Sequence, residues 1–324
     1  MNRRRLLASP ILLAAPALAQ GTRPAGWPSR AIRLVVPFAP GGPSDIAARA
    51  LAPTLSAALG QPVVVDNRAG SGGVVGTDAV AKAQPDGHTI GLCSAGALAI
   101  SPSLQPSMPY DVLRDLVPVT MGVRVAEILA VAPSLPVRDL AALIALAKQQ
   151  PGKLNYSTSG NGSMPHLAME ALRAAAGIDV VHVPYRSGGQ IVTAMLTGET
   201  QMGWADLPIL MPQLAAGALR PIVIGSEHRS PHFPDVPTTA EAGLPQVRAD
   251  NWHGFVAPAR TPPALVTALR EAIAGALQAP AVSKVLQDQG AEPGGDTPEA
   301  FGAFLRSEIA RWGEVVRSAN VKPD

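Results

Sequence analysis

The stretch Val36–Ala50, VPFAPGGPSDIAARA, sets two adjacent glycines, Gly41 and Gly42, between an apolar run and a helical pattern that begins at Ser44. Glycines at such a junction let the main chain turn sharply and let a ligand approach it closely. The first amides of the following helix have no internal partners and face whatever lies before them, which suits a negatively charged group. Upstream, Ile32–Phe38 reads as a strand; downstream, the helix runs from Ser44 to Leu59 and stops at Gly60. A second strand at Pro62–Asn67, a glycine-rich loop and helix over Arg68–Ala83, a Pro85-Asp86-Gly87 turn and a third strand at His88–Cys93 continue the alternation. These strands are continuously apolar, as expected where helices cover both faces of a sheet.

The middle of the chain repeats this grammar. Leu140, Leu143, Ile144 and Ala147 share one helical face, and Pro151-Gly152 ends that helix. Tyr156–Leu172, YSTSGNGSMPHLAMEAL, is a second strand–glycine loop–helix junction, with Gly160 and Gly162 exposing main chain and Ser157, Thr158, Ser159 and Ser163 adding neutral donors. Three short apolar segments follow at Asp179–Tyr185, Thr200–Asp206 and Arg220–Ser226; Ser226–Asp250 is proline-rich and reads as a long connection. A strand at Trp252–Ala259 and a helix over Pro262–Gln278 follow, and Thr297 and Pro298 open a final helix with Phe301, Leu305, Ile309, Trp312 and Val316 on its core face.

The first residues, MNRRRLLASPILLAAPALAQ, combine a basic start at Arg3–Arg5, a short apolar segment and a small-x-small site at Ala17–Ala19. That reads as an export signal, residues 1–19, with a loose fit to a twin-arginine leader, so the mature protein is expected outside the cytoplasm. The net charge of +2 owes its sign to those arginines. No basic run or basic helix face suggests nucleic-acid binding. Cys93, the only cysteine, sits in an apolar strand and reads as a buried structural thiol, so no internal disulfide forms.

Catalysts are scarce. Asp45 follows GGPS closely and either caps its helix or accepts from a hydroxyl or ammonium of a ligand. GGPSD has neither the lysine of a phosphate loop nor the spacing of a dinucleotide fingerprint, although Asp66 ends the second strand. Asp45, Ser163 and His166 are the residues of a conceivable hydrolytic trio, but no GxSxG elbow accompanies them. His228 and His232 lie among prolines without a third ligand, so no metal or cofactor is expected.

At this point the chain resembles a known family. The segments WPSRAIRLVVPFAPGGPSDIAAR, LGQPVVVDNRAGSGGVVGTDAVAKAQPDGHT, PGKLNYSTSGNGSMPHLAMEAL, VVHVPYRSGG, FPDVPTTAEAGLP and GFVAPARTPPALVTAL, in that order, are similar to the tripartite tricarboxylate transporter substrate receptors, the Bug or TctC-like solute-binding proteins. The resemblance implies a type II periplasmic binding protein, a Venus flytrap of two α/β lobes joined by crossovers. Lobe I is expected at 27–124 and 248–324, and lobe II at 125–247. It implies capture of a small carboxylate in the interlobe cleft for uptake by membrane transporter subunits, with no catalysis and a monomeric protein. The alternatives are a sensing module that presents the acid to a receptor kinase, and a small-acid hydrolase or isomerase. The ligand residues implied are Phe38, Ala39, Gly41, Gly42, Ser44 and Asp45 in the first loop; Ser94 and Ala95 after the third strand; Ser157, Ser159, Gly160, Gly162, Ser163 and His166 in the second loop; and Tyr185 and Asp206. The chain departs from the family pattern at His88, where tyrosine is usual, and at Ala205, where phenylalanine is usual.

The leader yields a test. Intact-mass analysis of periplasmic material is expected to give a chain beginning at Gln20; a full-length cytosolic species would refute export with cleavage after Ala19.

Overall fold

The computed structural model describes residues 24–185, 188–318 and 321; the leader lies outside the described residues. The strands among them, in chain order, are β1 (Ile32–Val36), β2 (Val63–Asn67), β3 (Thr89–Ser94), β4 (Leu116–Val131), β5 (Asn155–Thr158), β6 (Val181–Pro184), β7 (Met202–Asp206), β8 (Arg220–Ile224), β9 (Asp250–Pro258) and β10 (Ala291–Pro293). They form two α/β lobes. In lobe I, β2, β1 and β3 are parallel, β9 runs antiparallel to β3, and β4 antiparallel to β9. In lobe II, β6, β5 and β7 are parallel, and the far end of β4 pairs antiparallel with both β7 and β8.

Each lobe places apolar residues on both faces of its sheet. Leu34 and Val36 pack with Leu51 and Leu55 of the helix Pro43–Leu59 and with Leu269 and Ile273 of the helix Pro263–Leu277. Val35 and Cys93 belong to a second core, closed by Phe301, Leu305 and Trp312 of the helix Pro298–Ser318. That last helix brings a buried carboxylate with it. Glu308 accepts from the indoles of Trp252 (3.0 Å) and Trp312 (3.1 Å) and from Arg311 (2.8 Å), so its charge is balanced and its oxygens are occupied. Lobe II has matching cores around Tyr156, Trp204 and Leu172 on one face and Ile128, Ala205 and Leu210 on the other. Burial pushes the Cys93 thiol up to about 12, which makes it chemically inert. No described helix is long and apolar enough to cross a membrane.

The sequence reading contains no strand at β4, which is the longest of the described strands, at 16 residues. Pro118, Thr120, Arg124 and Glu127 break its apolar run, and its pairing with β9 shifts register twice. The segment after β3, where the sequence reading places only the candidates Ser94 and Ala95, winds into a helical turn at Gly96–Ile100 and a short helix at Ser101–Leu104.

Strand β4 joins the lobes. Up to Ala126 it pairs with β9, and from Glu127 it pairs with β7. The chain returns at Asp250, where β9 begins. Three main-chain bonds tie the crossings together: Glu127 N–H to Ala249 O (3.3 Å), Gly225 N–H to Glu127 O (2.9 Å) and Ala249 N–H to Gly225 O (3.0 Å). A Cβ on Gly225 would lie 2.5 Å from Ala249 Cβ and 2.6 Å from Ala249 O. Gly225→Ala is therefore expected to force the crossings apart and to cost about 1–3 kcal/mol, as overpacking of a close contact does. Thermal and urea unfolding measure this, and an unchanged midpoint would show that the crossings need no such approach.

Candidate functional site

The first glycine loop links β1 to the helix Pro43–Leu59. Gly41 has φ +87°, a conformation that strains any other residue, whereas Gly42 has an ordinary φ of −81°. Beneath the loop lies Asp45, with 4% of its side chain exposed. One carboxylate oxygen accepts from Gly41 N–H (2.9 Å) and Arg49 Nε (2.9 Å), and the other accepts from Asn67 Nδ2 (2.9 Å). Asn67 also donates to Phe38 O (3.0 Å), tying the end of β2 to the loop. Burial alone would raise the Asp45 pKa; the donors from Arg49, Gly41 and Asn67 outweigh it and hold the carboxyl below its ordinary range. Asp45 thus staples the loop from behind.

The second loop links β5 to the helix Met164–Ala176. Ser163 caps that helix, accepting from His166 N–H (3.4 Å) while its hydroxyl donates to Gly160 O (2.7 Å). Gly162 N–H donates to His166 Nδ1 (3.0 Å), so this ring nitrogen carries no proton. The His166 ring stacks on His182, with centroids 4.1 Å apart and planes 6° from parallel. Burial, then the nearby His166 and Arg173, push the His182 imidazole down to about 3, so it stays neutral. Its Nε2 lies 2.6 Å from the Thr158 hydroxyl, which also accepts from Gly160 N–H (3.2 Å). Tyr156 and Arg173 both donate to Glu170 below the stack. A buried polar network therefore fixes the loop from behind, as Asp45 does in lobe I.

Both loops open onto one cavity of about 780 Å³ between the lobes. Phe38, Ala39, Gly41, Gly42, Ser44, Ser94, Ser159, Gly160, Gly162, Ser163 and Asp206 line it. The other sequence candidates stand behind the wall. Asp45 and His166 hold the loops; Ala95 is core; the Ser157 hydroxyl donates to Met202 O (3.3 Å); and Tyr185 N–H donates to Thr158 O (2.9 Å). Arg186 and Ser187 of the YRSGG segment lie outside the described residues. The hydrolytic trio is not assembled, because Asp45 is bound to Arg49 in one lobe while His166 and Ser163 serve the loop of the other. The lobes also touch beside the cavity. Gly162 leaves no room for a Cβ against Leu104, and Met164 and Leu167 share an apolar cluster with Leu104 and Trp312.

The cavity lining includes Ser71, Gly72, Glu127, Asn251 and His253, which the sequence reading does not name. Ser71 and Gly72 had a signal, the glycine-rich run after β2. The other three come from the crossing strands and had none. His253 Nε2 lies 2.8 Å from the Ser44 hydroxyl, and burial pushes the ring down to about 4, so it is a neutral part of the wall. Among the described residues, no lysine or arginine lines the cavity, and no group could hold a metal ion. The loops bring glycine main chain, serine hydroxyls and the first turns of two helices to this cavity, a rim suited to an anion, and each loop is held by buried bonds behind it.

This architecture has known counterparts. The model of the tripartite tricarboxylate transporter family receptor matches residues 47–321. Protein BugT of Bordetella pertussis is 42% identical over 324 residues, covering 99% of each chain. The structure of R. palustris Rpa4515 with adipate superposes with a TM-score of 0.83 at 36% identity, over 92% of this chain and 100% of that one. MatC from Rhodopseudomonas palustris with bound malate gives 0.80 at 31% identity, over 90% of this chain and 100% of that one.

The Asp45 staple can be tested through its titration. Its folded pKa lies below the unfolded value of about 3.9, so its stabilisation is complete above that value and is lost as pH falls through the folded one. Asp45→Asn turns an amide donor toward Gly41 or Arg49 and is expected to cost about 1–3 kcal/mol at pH 7. Urea unfolding of both proteins is expected to show that gap shrinking toward pH 3, and a pH-independent gap would rule out the charged staple.

Proposed function

The chain belongs to the tripartite tricarboxylate transporter family of receptors, and from this premise we propose that it is the periplasmic, monomeric receptor that closes its two lobes on one small organic acid and delivers it to membrane transporter subunits. The observation that carries the reading is the pair of glycine–hydroxyl loops, one from each lobe, that open onto the same cavity at the first turns of two helices. A carboxylate fits them because neutral donors in a partly dry cleft make strong charge-assisted bonds without an opposing cation. Relatives solved with adipate and malate support the ligand class. Since Gly42 and Gly160 belong to different lobes, a carboxylate held by both loops completes its bonds only when the lobes meet, which couples capture to closure.

Gly42 offers the cleaner test of the two. Its φ is ordinary and a Cβ would meet only Ala39 O at 3.8 Å, whereas Gly160 has φ +112° and any side chain there is strained. Gly42→Val is expected to keep the circular-dichroism spectrum and the melting midpoint of the empty protein while weakening acid binding at least about tenfold, the value of one charge-assisted bond. A thermal-shift panel of mono-, di- and hydroxy-acids would find the ligand class, and calorimetry would compare the two proteins. Unchanged affinity in Gly42→Val would remove the first loop from the site.

A further inference from the structure

The floor of the cleft is chemically unlike its rim. Glu127 lies directly opposite Asp206 in the antiparallel pairing of β4 with β7, so both side chains leave the same face of the sheet. Asn251 and His253 alternate along β9 on one face of that strand, and all four residues line the cavity. Glu127 is wholly buried, no neighbouring N–H or O–H donates to either of its carboxyl oxygens, and the group its own proton can reach is Asp206 opposite. A buried acid left without partners is costly unless something else completes it. Asp206 is the half-buried member. One of its oxygens accepts from Asn251 Nδ2 (2.9 Å), and its position at the end of β7 turns it to the cavity.

We propose that the Glu127–Asp206 pair makes the floor of the cleft an acceptor pole, so that the acid this protein captures carries a hydrogen-bond donor, an ammonium or hydroxyl, at the end remote from its carboxylate. The proposal rests on carboxylate capture by the loops. Burial, then the charges of Asp206 and Asp250, raise the Glu127 carboxyl well above the ordinary range, so it holds its proton. Asp250 is itself pushed up to about 6 by burial, with Arg248, Arg124 and Arg311 opposing the shift. Burial raises the Asp206 carboxyl above its ordinary range, and hydrogen bonds from Asn251 and from a neutral Glu127 oppose that shift, so the one negative charge the pair carries sits on Asp206. The remaining acceptor positions of Asp206 then face the ligand. The rim offers donors and the floor offers acceptors, so the ligand that satisfies both is polar in the opposite sense at its two ends. Asp45, the alternative reader of such a donor, has both of its oxygens occupied within the loop.

Matched probes separate the floor from the rim. γ-Aminobutyrate, δ-aminovalerate and ε-aminocaproate each carry an ammonium where valerate, caproate and heptanoate carry a methyl group. Calorimetry on the mature protein is expected to favour at least one amino acid over its partner by about tenfold, the value of one charge-assisted bond. Asp206→Asn is expected to collapse that ratio. Glu127→Gln, which imitates the neutral acid, is expected to preserve it. The ratio cancels general damage, because a weakened cleft loses both ligands alike. Infrared spectra at neutral pH are expected to contain a protonated-carboxyl band in the parent that Glu127→Gln lacks. Equal binding of the two sets, or an intact ratio in Asp206→Asn, overturns the acceptor floor while leaving carboxylate capture in place. Collapse of the ratio in Glu127→Gln, or absence of the infrared band, overturns the neutral role of Glu127. Binding of none of the six overturns carboxylate capture, and this proposal with it.

Discussion

Both lobes depend on one strand. β4 leaves β9 at Ala126 and takes up β7 at Glu127, so a single continuous main chain belongs to both sheets. The bonds among Glu127, Gly225 and Ala249 fasten the return crossing to it. Because backbone bonds in a sheet are directional and obligatory, this arrangement fixes which ends of the other strands face each other. The loops after β1 and β5 meet over one cavity because their strands are both registered, through their neighbours, to β4. The two junctions are built alike: a glycine turn presents main chain to the cavity, and a buried polar group behind it removes its freedom. In lobe I that group is Asp45 with Asn67; in lobe II it is the stacked pair His166 and His182 over Thr158.

Preorganisation of this kind explains how an anion site manages without a cation in its described lining. A loop held from behind does not have to reorganise when charge arrives, so its dipoles act at full strength. Neutrality of the supporting histidines matters for the same reason. Charging His182 beneath the loop would set a buried cation beside His166 and Arg173, and burial prevents it. The wall residue His253 is kept uncharged by burial alone.

Much of this was legible in the sequence, and the part that was not has a common cause. Glycines beside hydroxyl residues at strand–helix junctions are local signals, so Phe38–Ser44 and Ser159–Ser163 were readable as the two sides of a cleft. The covered sheets followed from the continuously apolar runs at Ile32–Phe38 and His88–Cys93. Roles set by packing were not readable. His166 lies in the first turn of its helix, but that it supports Gly162 and stacks on His182 is something sequence spacing does not encode. β4 escaped because Pro118, Thr120, Arg124 and Glu127 interrupt the pattern that marks a buried strand. The floor escaped for a deeper reason. Glu127, Asp206 and Asn251 converge through the registers of β4 with β7 and β9, and register is a long-range property.

The position of Glu127 also has a mechanical consequence. Its main chain is part of the crossing about which the lobes are joined, while its side chain forms the floor. A force exerts torque in proportion to its distance from the axis of rotation. Contacts made at the floor act with almost no lever arm, so they change how tightly a ligand sits without turning one lobe on the other. Contacts made at Gly42 and Gly160, which the proposed capture uses, lie in the loops of separate lobes and would convert binding into rotation. On the proposed reading, ligand identity and ligand-driven motion would be read at different parts of the same cavity, which would leave one free to evolve while the other is kept.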